Sequence, residues 1–353
     1  MNRSLTLAAL LSCGTLLLAG CPNPADEDDG SEAARTGVKN YVNTELTALH
    51  EAALALQAAA PAGDADGWNA DDDAAAVAEM KTQWKKARVS YERVEGAIAV
   101  LFPGLDESTD QRYDGFHEAA DFSDDNLFDG TGVTGVHGIE RILFADVVPA
   151  AVDEYEIAVV GDRYEAPAFP ATEAEANDFK TSLAQRLVDD TATMQSDFQG
   201  VELALEAAYR GVLGSMEEQF EKVALAGDGS DESRYAQHTL GDMRANLEGG
   251  LNIYEAFDPM FDAKEGDGED TVHEKIQGAF DRVKAQYDGI AGDAIPEVPA
   301  TWDPDAPSDA DAATAYGKLF LFLQRETDLD DGDSFVGLFN QGGELLAIPQ
   351  LPE

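Results

Sequence analysis

A chain of 353 residues with 70 acidic and 23 basic side chains carries a formal charge of −47, which excludes nucleic acid as a partner because phosphate contacts need surfaces rich in Lys and Arg. Cys13 and Cys21 are its only cysteines, and Cys13 falls inside the predicted leader segment. An internal disulfide and a cysteine-based zinc site are therefore excluded from the mature protein.

The first twenty residues have the pattern of a secretory signal peptide. Arg3 precedes an apolar stretch over residues 5–18, and the triplet Leu-Ala-Gly then stands directly before Cys21. This ending resembles the lipobox of bacterial lipoproteins, in which the cysteine is acylated. We therefore expect a signal peptide over residues 1–20, a lipid on Cys21 that anchors the protein to a membrane, and an acidic tether over residues 21–34. The expected location is the cell envelope, either periplasmic or at the outer membrane, and the alternative is an ordinary secreted protein.

Apolar residues that recur at steps of three, four and seven predict amphipathic helices along most of the chain. The predicted helices cover residues 38–56, 76–101, 173–198, 205–223, 240–254, 276–290 and 312–325. Strand signals are nearly absent, so the predicted fold class is all-α. Long helices joined by loops further imply antiparallel bundles, with an N-terminal helical bundle over residues 35–190 and a C-terminal one over residues 191–353.

One long stretch between predicted helices breaks this pattern. Residues 102–135 are rich in Asp, Gly and aromatic side chains, and they are too many for a simple turn. The density of aromatic residues predicts ordered packing against the bundle.

A short helix predicted directly after this stretch carries the first candidate for metal binding. His137 and Glu140 stand three residues apart, so their side chains share one helix face and can chelate a cation. Taken alone, the spacing is weak evidence for a metal site, because a structural hydrogen bond between an imidazole and a carboxylate is its commonest meaning.

Further charged residues could join this pair. Three of them lie on the helix predicted over residues 76–101, at steps of four and three: Arg88, Glu92 and Glu95. Two more follow early in the long stretch: Asp110 and Arg112. If these segments pack on the helix of His137, the acids join the site, and Arg88 and Arg112 hold the carboxylates by bidentate bonds. In the alternative interpretation, Glu92 and Glu95 are surface acids paired with Arg88 and Arg93.

Four sequence blocks follow one another along the chain. Three lie in the first half: Ala87-Arg88 with Tyr91-Glu92-Arg93-Val94-Glu95, Asp110-Gln111-Arg112, and Gly135-Val136-His137-Gly138-Ile139-Glu140. The fourth covers residues 234–249. In this order they resemble the imelysin-like family, which includes iron-uptake proteins of the EfeO type and is named for a reported peptidase. The resemblance extends over residues 34–325.

The resemblance implies two antiparallel four-helix bundles and a metal site. By matching position it implies five candidate ligands: His137, Glu140, Glu92, Glu95 and Asp110. One imidazole with several carboxylates suits iron or manganese better than copper(I) or structural zinc. The implied function is an envelope-anchored protein that binds iron for uptake and has an iron-transport partner. Manganese, calcium, zinc and copper are the alternative ions.

Two other functions stay open at this point. The family name suggests a metallopeptidase, although no His-Glu-x-x-His motif of zinc peptidases is present in the sequence. The other alternative is a lipoprotein that binds a polysaccharide or another bulky ligand. His238 is a lone histidine of the fourth block, and we expect it to pack or hydrogen-bond rather than bind a metal.

Overall fold

A computed structural model gives the fold of the protein and describes residues 29–69, 71–118, 123–226, 229–265 and 270–349. The described backbone forms helices and turns and no β-strand, which confirms the predicted all-α class. Among these residues, no helix combines the length and the apolar character that a bilayer crossing requires. The predicted signal peptide and its lipidated Cys21 lie outside the described residues.

Nine helices in the first part of the described chain bring together the predicted site residues. They are α1 (Ser31–Ala59), α2 (Ala74–Glu92), α3 (Glu95–Leu101), α4 (Pro103–Asp110), α5 (Tyr113–Glu118), α6 (Gly135–Leu143), α7 (Ala150–Val160), α8 (Glu173–Asp178) and α9 (Ala184–Gln199). A π-helical turn, Phe179–Leu183, joins α8 to α9, so the helix predicted over residues 173–198 is continuous with one widened turn.

The rest of the described chain is again helical. Its helices are α10 (Leu205–Leu225), α11 (Thr239–Glu255), α12 (Asp258–Glu265), α13 (Val272–Asp288), α14 (Asp309–Ala312), α15 (Ala315–Glu326) and α16 (Phe335–Leu345). Between α10 and α11, residues 229–238 form turns whose side chains are mostly buried, and we call this segment the buried loop.

Three comparisons of the helix boundaries with the sequence prediction concern the segments around the predicted site residues. Helix α1 begins at Ser31, inside the segment predicted as an acidic tether. The long stretch over residues 102–135 contains two short helices, α4 and α5, which agrees with the ordered packing expected of it. The helix predicted over residues 76–101 is broken at Arg93 and Val94, so that α2 and α3 are separate elements.

Two large apolar cores and one small cluster stabilise the described part of the fold, and both α1 and α2 contribute to each of the large cores. In α1, Ala52 packs in the larger core with α10, α11, α13, α15 and α16, whereas Ala53 packs in the smaller core with α6, α8 and α9. In α2, Trp84 belongs to the smaller core and Tyr91 to the larger one. Polar residues of α2 between these positions, Arg88 above all, therefore lie at the junction of the two cores.

Helices α3 and α10 cross at a pair of glycines. A Cβ atom on Gly96 would lie 2.6 Å from the carbonyl oxygen of Gly211, and a Cβ atom on Gly211 would crowd the carbonyl oxygen of Gly96 in the same way. Neither position has room for a side chain, because the two backbones touch directly. This close approach brings Glu95 of α3 next to Lys222 of α10.

We expect Gly211→Ala to destabilise the protein by about 1–3 kcal/mol, because the added methyl group forces the two backbones apart. Gly214→Ala is the matched control in the same helix, since its Cβ atom meets nothing within 4 Å. The control should gain roughly 0.5–1 kcal/mol from the better helix propensity of alanine. Urea unfolding followed by circular dichroism measures both values, and equal stability of the two variants would contradict the tight crossing.

Candidate metal centre

Gly135 fixes the start of α6 against the end of α4. Its φ of 78° lies in the left-handed region, where glycine is strongly favoured. A Cβ atom at this position would also lie 2.7 Å from the backbone oxygen of Ser108. The hydroxyl of Thr134 donates to the same oxygen over 3.2 Å. This contact holds the first turn of α6 beside Asp110, the last residue of α4.

His137 and Glu140 of α6 form a buried pair. Nδ1 of His137 lies 2.7 Å from Oε2 of Glu140, and both side chains are almost inaccessible to solvent. Burial lowers the pKa of His137, and the nearby charge of Arg88 lowers it further, so the imidazole is neutral. With the Glu140 carboxylate accepting from Nδ1–H, the lone pair is left on Nε2.

Glu140 also anchors the buried loop. Its Oε1 accepts hydrogen bonds from the backbone N–H groups of Tyr235, at 3.0 Å, and Ala236, at 2.8 Å. Buried backbone donors need such partners because no water replaces them. The resemblance implies Glu140 as a ligand, whereas in this structure both of its oxygens face protein donors.

Two carboxylates lie around the other face of the imidazole. Nε2 of His137 is 3.4 Å from Oδ1 of Asp110 and has no hydrogen-bond partner among the described residues. Ligand atoms of Asp110, His137 and Glu232 all lie within 4.8 Å of one another. Asp110 comes from α4 and Glu232 from the buried loop, so the tertiary fold creates this group of three.

A second group of acids adjoins the first and shares Glu232 with it. Oxygens of Glu92, Glu232 and Asp242 also lie within 4.8 Å of one another, and all three side chains are buried. The guanidinium of Arg88 lies among them: it contacts Glu92 and Asp110, and it lies 2.8 Å from Glu232 and 3.4 Å from Asp242. Arg88 thus contacts four carboxylates, and its role in holding them for a metal ion stays a prediction.

The break between α2 and α3 turns Glu92 and Glu95 toward the same partners. Nζ of Lys222 lies 3.1 Å from Glu92, 3.3 Å from Glu95 and 2.6 Å from Glu232. The amide of Asn246 donates to Glu92 and, over 3.0 Å, to Glu95. Glu95 thus holds Lys222 and belongs to neither group of three among the described residues.

Burial and neighbouring charges shift the pKa values of these acids in opposite directions. Burial raises the pKa of Asp110 to about 6 and that of Asp242 to about 7, because desolvation outweighs the attraction of Arg88. Burial acts on Glu232 in the same direction, but Lys222 and Arg88 together hold its pKa well below the usual range. Glu232 therefore stays ionised between the two groups.

A solvent-connected cavity of about 460 Å³ leads to the first group. Asp110, Glu232 and Lys222 are among its lining residues. The remaining charged residues of its wall are mostly acidic: Glu95, Arg112, Asp114, Glu118, Glu218 and Glu221. Arg112 donates to the backbone carbonyl of Ser230 over 3.1 Å, in place of the carboxylate expected from the sequence. The acidic wall attracts cations and repels anions.

Sequence reasoning missed Glu232, Asp242 and Lys222. Asp242 lies inside the fourth sequence block, which resembled the family without suggesting a ligand role. Glu232 stands two residues before that block, and Lys222 lies on the predicted helix over residues 205–223. No spacing rule connects these positions to His137, because they meet it only through tertiary packing.

A model of the imelysin family, peptidase family M75, matches residues 37–322 of the chain. The chain belongs to the imelysin family. This finding confirms the resemblance drawn from the sequence blocks, and the match covers all of the helices that carry the two groups of three residues.

Curated relatives of this imelysin-family chain include components of iron uptake. The "Iron uptake system component EfeO" of Yersinia pseudotuberculosis serotype I is 27% identical over 252 residues, which cover 70% of this chain and 52% of the relative. The protein of the same name from Escherichia coli K12 is 27% identical over 227 residues, which cover 64% of this chain and 46% of the relative. The chain thus spans about half the length of these relatives.

A solved structure shows the same fold. The crystal structure of an imelysin-like protein from Psychrobacter arcticum 273-4 superposes with a TM-score of 0.54 at 13% identity, covering 91% of this chain and 96% of the other. The helical arrangement described above is therefore an imelysin-like fold.

His238, the residue directly before α11, lies near Asp242 of the second group. Its Nδ1 lies 3.3 Å from Asp293, and its Nε2 lies 4.0 Å from Asp242. Among the described residues, neither group of three includes His238, and its packing role stays a prediction. Burial lowers the pKa of His238 to about 4, and the charge of Lys85 acts in the same direction.

This shift predicts a loss of stability in mild acid. Below pH 6.5 the unfolded chain protonates His238, whereas the folded protein keeps it neutral down to about pH 4, so stability falls across that interval. His238→Gln removes the titration. Between pH 7 and pH 4.5 the variant should lose on the order of 2 kcal/mol less unfolding free energy than the wild type. Urea unfolding at several pH values tests this, and parallel pH profiles of the two proteins would argue against it.

Proposed function

We propose that this imelysin-family protein binds one metal ion, with iron as its cargo, through His137, Asp110 and Glu232. The observation that carries the proposal is the buried neutral imidazole, whose Nε2 has no hydrogen-bond partner among the described residues and faces two carboxylates. A buried polar atom without a partner is costly unless a ligand satisfies it. A neutral imidazole with carboxylates suits iron or manganese.

Of the five ligands implied by the sequence, this proposal assigns different roles to three. Glu140 orients the imidazole by accepting from its Nδ1–H, as carboxylates do behind metal-bound histidines. Glu92 and Glu95 hold the cations Arg88 and Lys222. The acidic cavity is the route by which the ion reaches the three ligands.

The relatives support iron as the ion and uptake as the process, since two of them are named iron uptake components. We propose that the chain binds iron in the cell envelope and delivers it to a transport partner. Its acidic surroundings favour the free cation over an anionic iron chelate.

Titration with Fe²⁺ under anaerobic conditions tests the site. Wild type should bind one ion per chain, and His137→Ala and Glu232→Gln should abolish this binding because each removes a direct ligand. Glu140→Gln should weaken binding by about 10–100-fold while keeping one ion per chain, as is usual for a residue behind the ligands. Isothermal titration calorimetry and iron analysis measure affinity and stoichiometry.

Glu154→Gln is the matched control, because Glu154 is an exposed acid of α7 that does not line the cavity. It should bind iron like the wild type. Unchanged affinity in both His137→Ala and Glu232→Gln would refute the proposed site. If wild type cleaves casein and His137→Ala does not, the metallopeptidase function would be favoured instead.

We also propose that a lipid on Cys21 holds the protein in the envelope. The support is the sequence Leu-Ala-Gly-Cys after an apolar stretch with one leading Arg. Expressed in a Gram-negative bacterium, wild type should sediment with membranes and release into detergent, whereas Cys21→Ala should lose the lipid. Mass spectrometry of the mature N-terminus measures this directly, and an unmodified Cys21 in the wild type would disprove the anchor.

A further inference from the structure

The guanidinium of Arg88 occupies the centre of the second acidic group. Carboxylate oxygens of Glu92, Glu232 and Asp242 lie within 4.8 Å of one another. The ligand atoms of the first group lie equally close together. Arg88 has no exposed surface and forms ion pairs with all three acids. A positive charge that belongs to the chain therefore lies where three buried carboxylates would otherwise surround a metal ion.

We propose that Arg88 is a tethered substitute for a second metal ion, and that Glu92, Glu232 and Asp242 form a latent second metal subsite. The inference rests on the proposed function because Glu232 belongs to both groups. Arg88 then determines stoichiometry: while it is present, the centre takes one ion, and without it the centre takes two that share the Glu232 carboxylate.

The charge balance of the buried cluster supports this role. Five carboxylates face two cations, Arg88 and Lys222; the acids are Glu92, Glu95, Asp110, Glu232 and Asp242. Buried charges need compensation, because an unpaired charge away from water is very costly. While Arg88 is present, one added divalent ion lowers the formal excess of negative charge in the cluster from three to one. Removal of the guanidinium leaves acids for which a second divalent ion is the natural replacement.

The shared carboxylate gives the arrangement the form of a two-metal site. In such sites a bridging group holds two ions about 3.5–4 Å apart. Glu232 already contacts cations on one side through Arg88 and Lys222, and its other neighbours are His137 and Asp110. The chain thus supplies a geometry for two cations, one of which is built into α2.

Lys222 provides a matched comparison. It is a second buried cation of the same cluster and contacts Glu92, Glu95 and Glu232. Among the described residues, however, those three acids do not form a group with ligand atoms within 4.8 Å of one another. Removal of Lys222 therefore takes away the same charge as removal of Arg88 without opening a three-ligand subsite.

The test compares the full wild-type chain with Arg88→Gln and Lys222→Gln. Each is dialysed to equilibrium against Mn²⁺, and the metal content per chain is measured by mass spectrometry. We expect one ion in the wild type, two in Arg88→Gln and one in Lys222→Gln. Electron paramagnetic resonance should show magnetic coupling between the two Mn²⁺ ions in Arg88→Gln and none in the other proteins.

Because Arg88→Gln leaves buried acids uncompensated, its folding is measured by circular dichroism with and without Mn²⁺. A variant that unfolds without metal and refolds with two Mn²⁺ ions supports the inference. One ion in folded Arg88→Gln, two in Lys222→Gln, or an Arg88→Gln chain that stays unfolded in Mn²⁺ overturns it. A wild type that binds no Mn²⁺ and no Fe²⁺ would refute the proposed function itself, whereas one ion in both wild type and Arg88→Gln refutes only the inference.

Discussion

The ion pairs of Arg88 constrain four segments of the protein at once. Its guanidinium has no access to solvent and contacts acids from α2, α4, the buried loop and α11. Loss of one member of such a buried network leaves the others without compensation, which typically costs several kcal/mol. The junction between the two apolar cores is therefore a polar layer whose members keep one another in place, and the arrangement around His137 follows from it.

The same layer accounts for the chemistry available at the centre. Burial and the charge of Arg88 keep His137 neutral, while Glu140 fixes the orientation of its ring. Lys222 and Arg88 keep Glu232 ionised although it is buried. A neutral nitrogen donor thus lies beside an oxygen donor of permanent negative charge, which is the combination that a borderline cation prefers.

Charged residues outside the centre also favour the binding of a cation. The chain carries a large excess of acids, and the cavity that reaches Asp110 and Glu232 is lined mainly by carboxylates. Such a field raises the local concentration of cations and weakens as the ionic strength of the solution rises. The basic residues of the centre, Arg88 and Lys222, are each outnumbered by the carboxylates that they contact.

Helical periodicity determined the fold class from the sequence alone, because a repeat of 3.6 residues is a local property. The proximity of His137 and Glu140 could also be predicted from the sequence, since residues three apart on a helix share a face. Tertiary packing decided where the helix breaks, at Arg93 and Val94. It also decided that Glu232 and Asp242 lie beside Arg88. Contacts between residues more than a hundred positions apart leave no local pattern in a sequence, so only the packed helices and the buried loop define which acids face the imidazole.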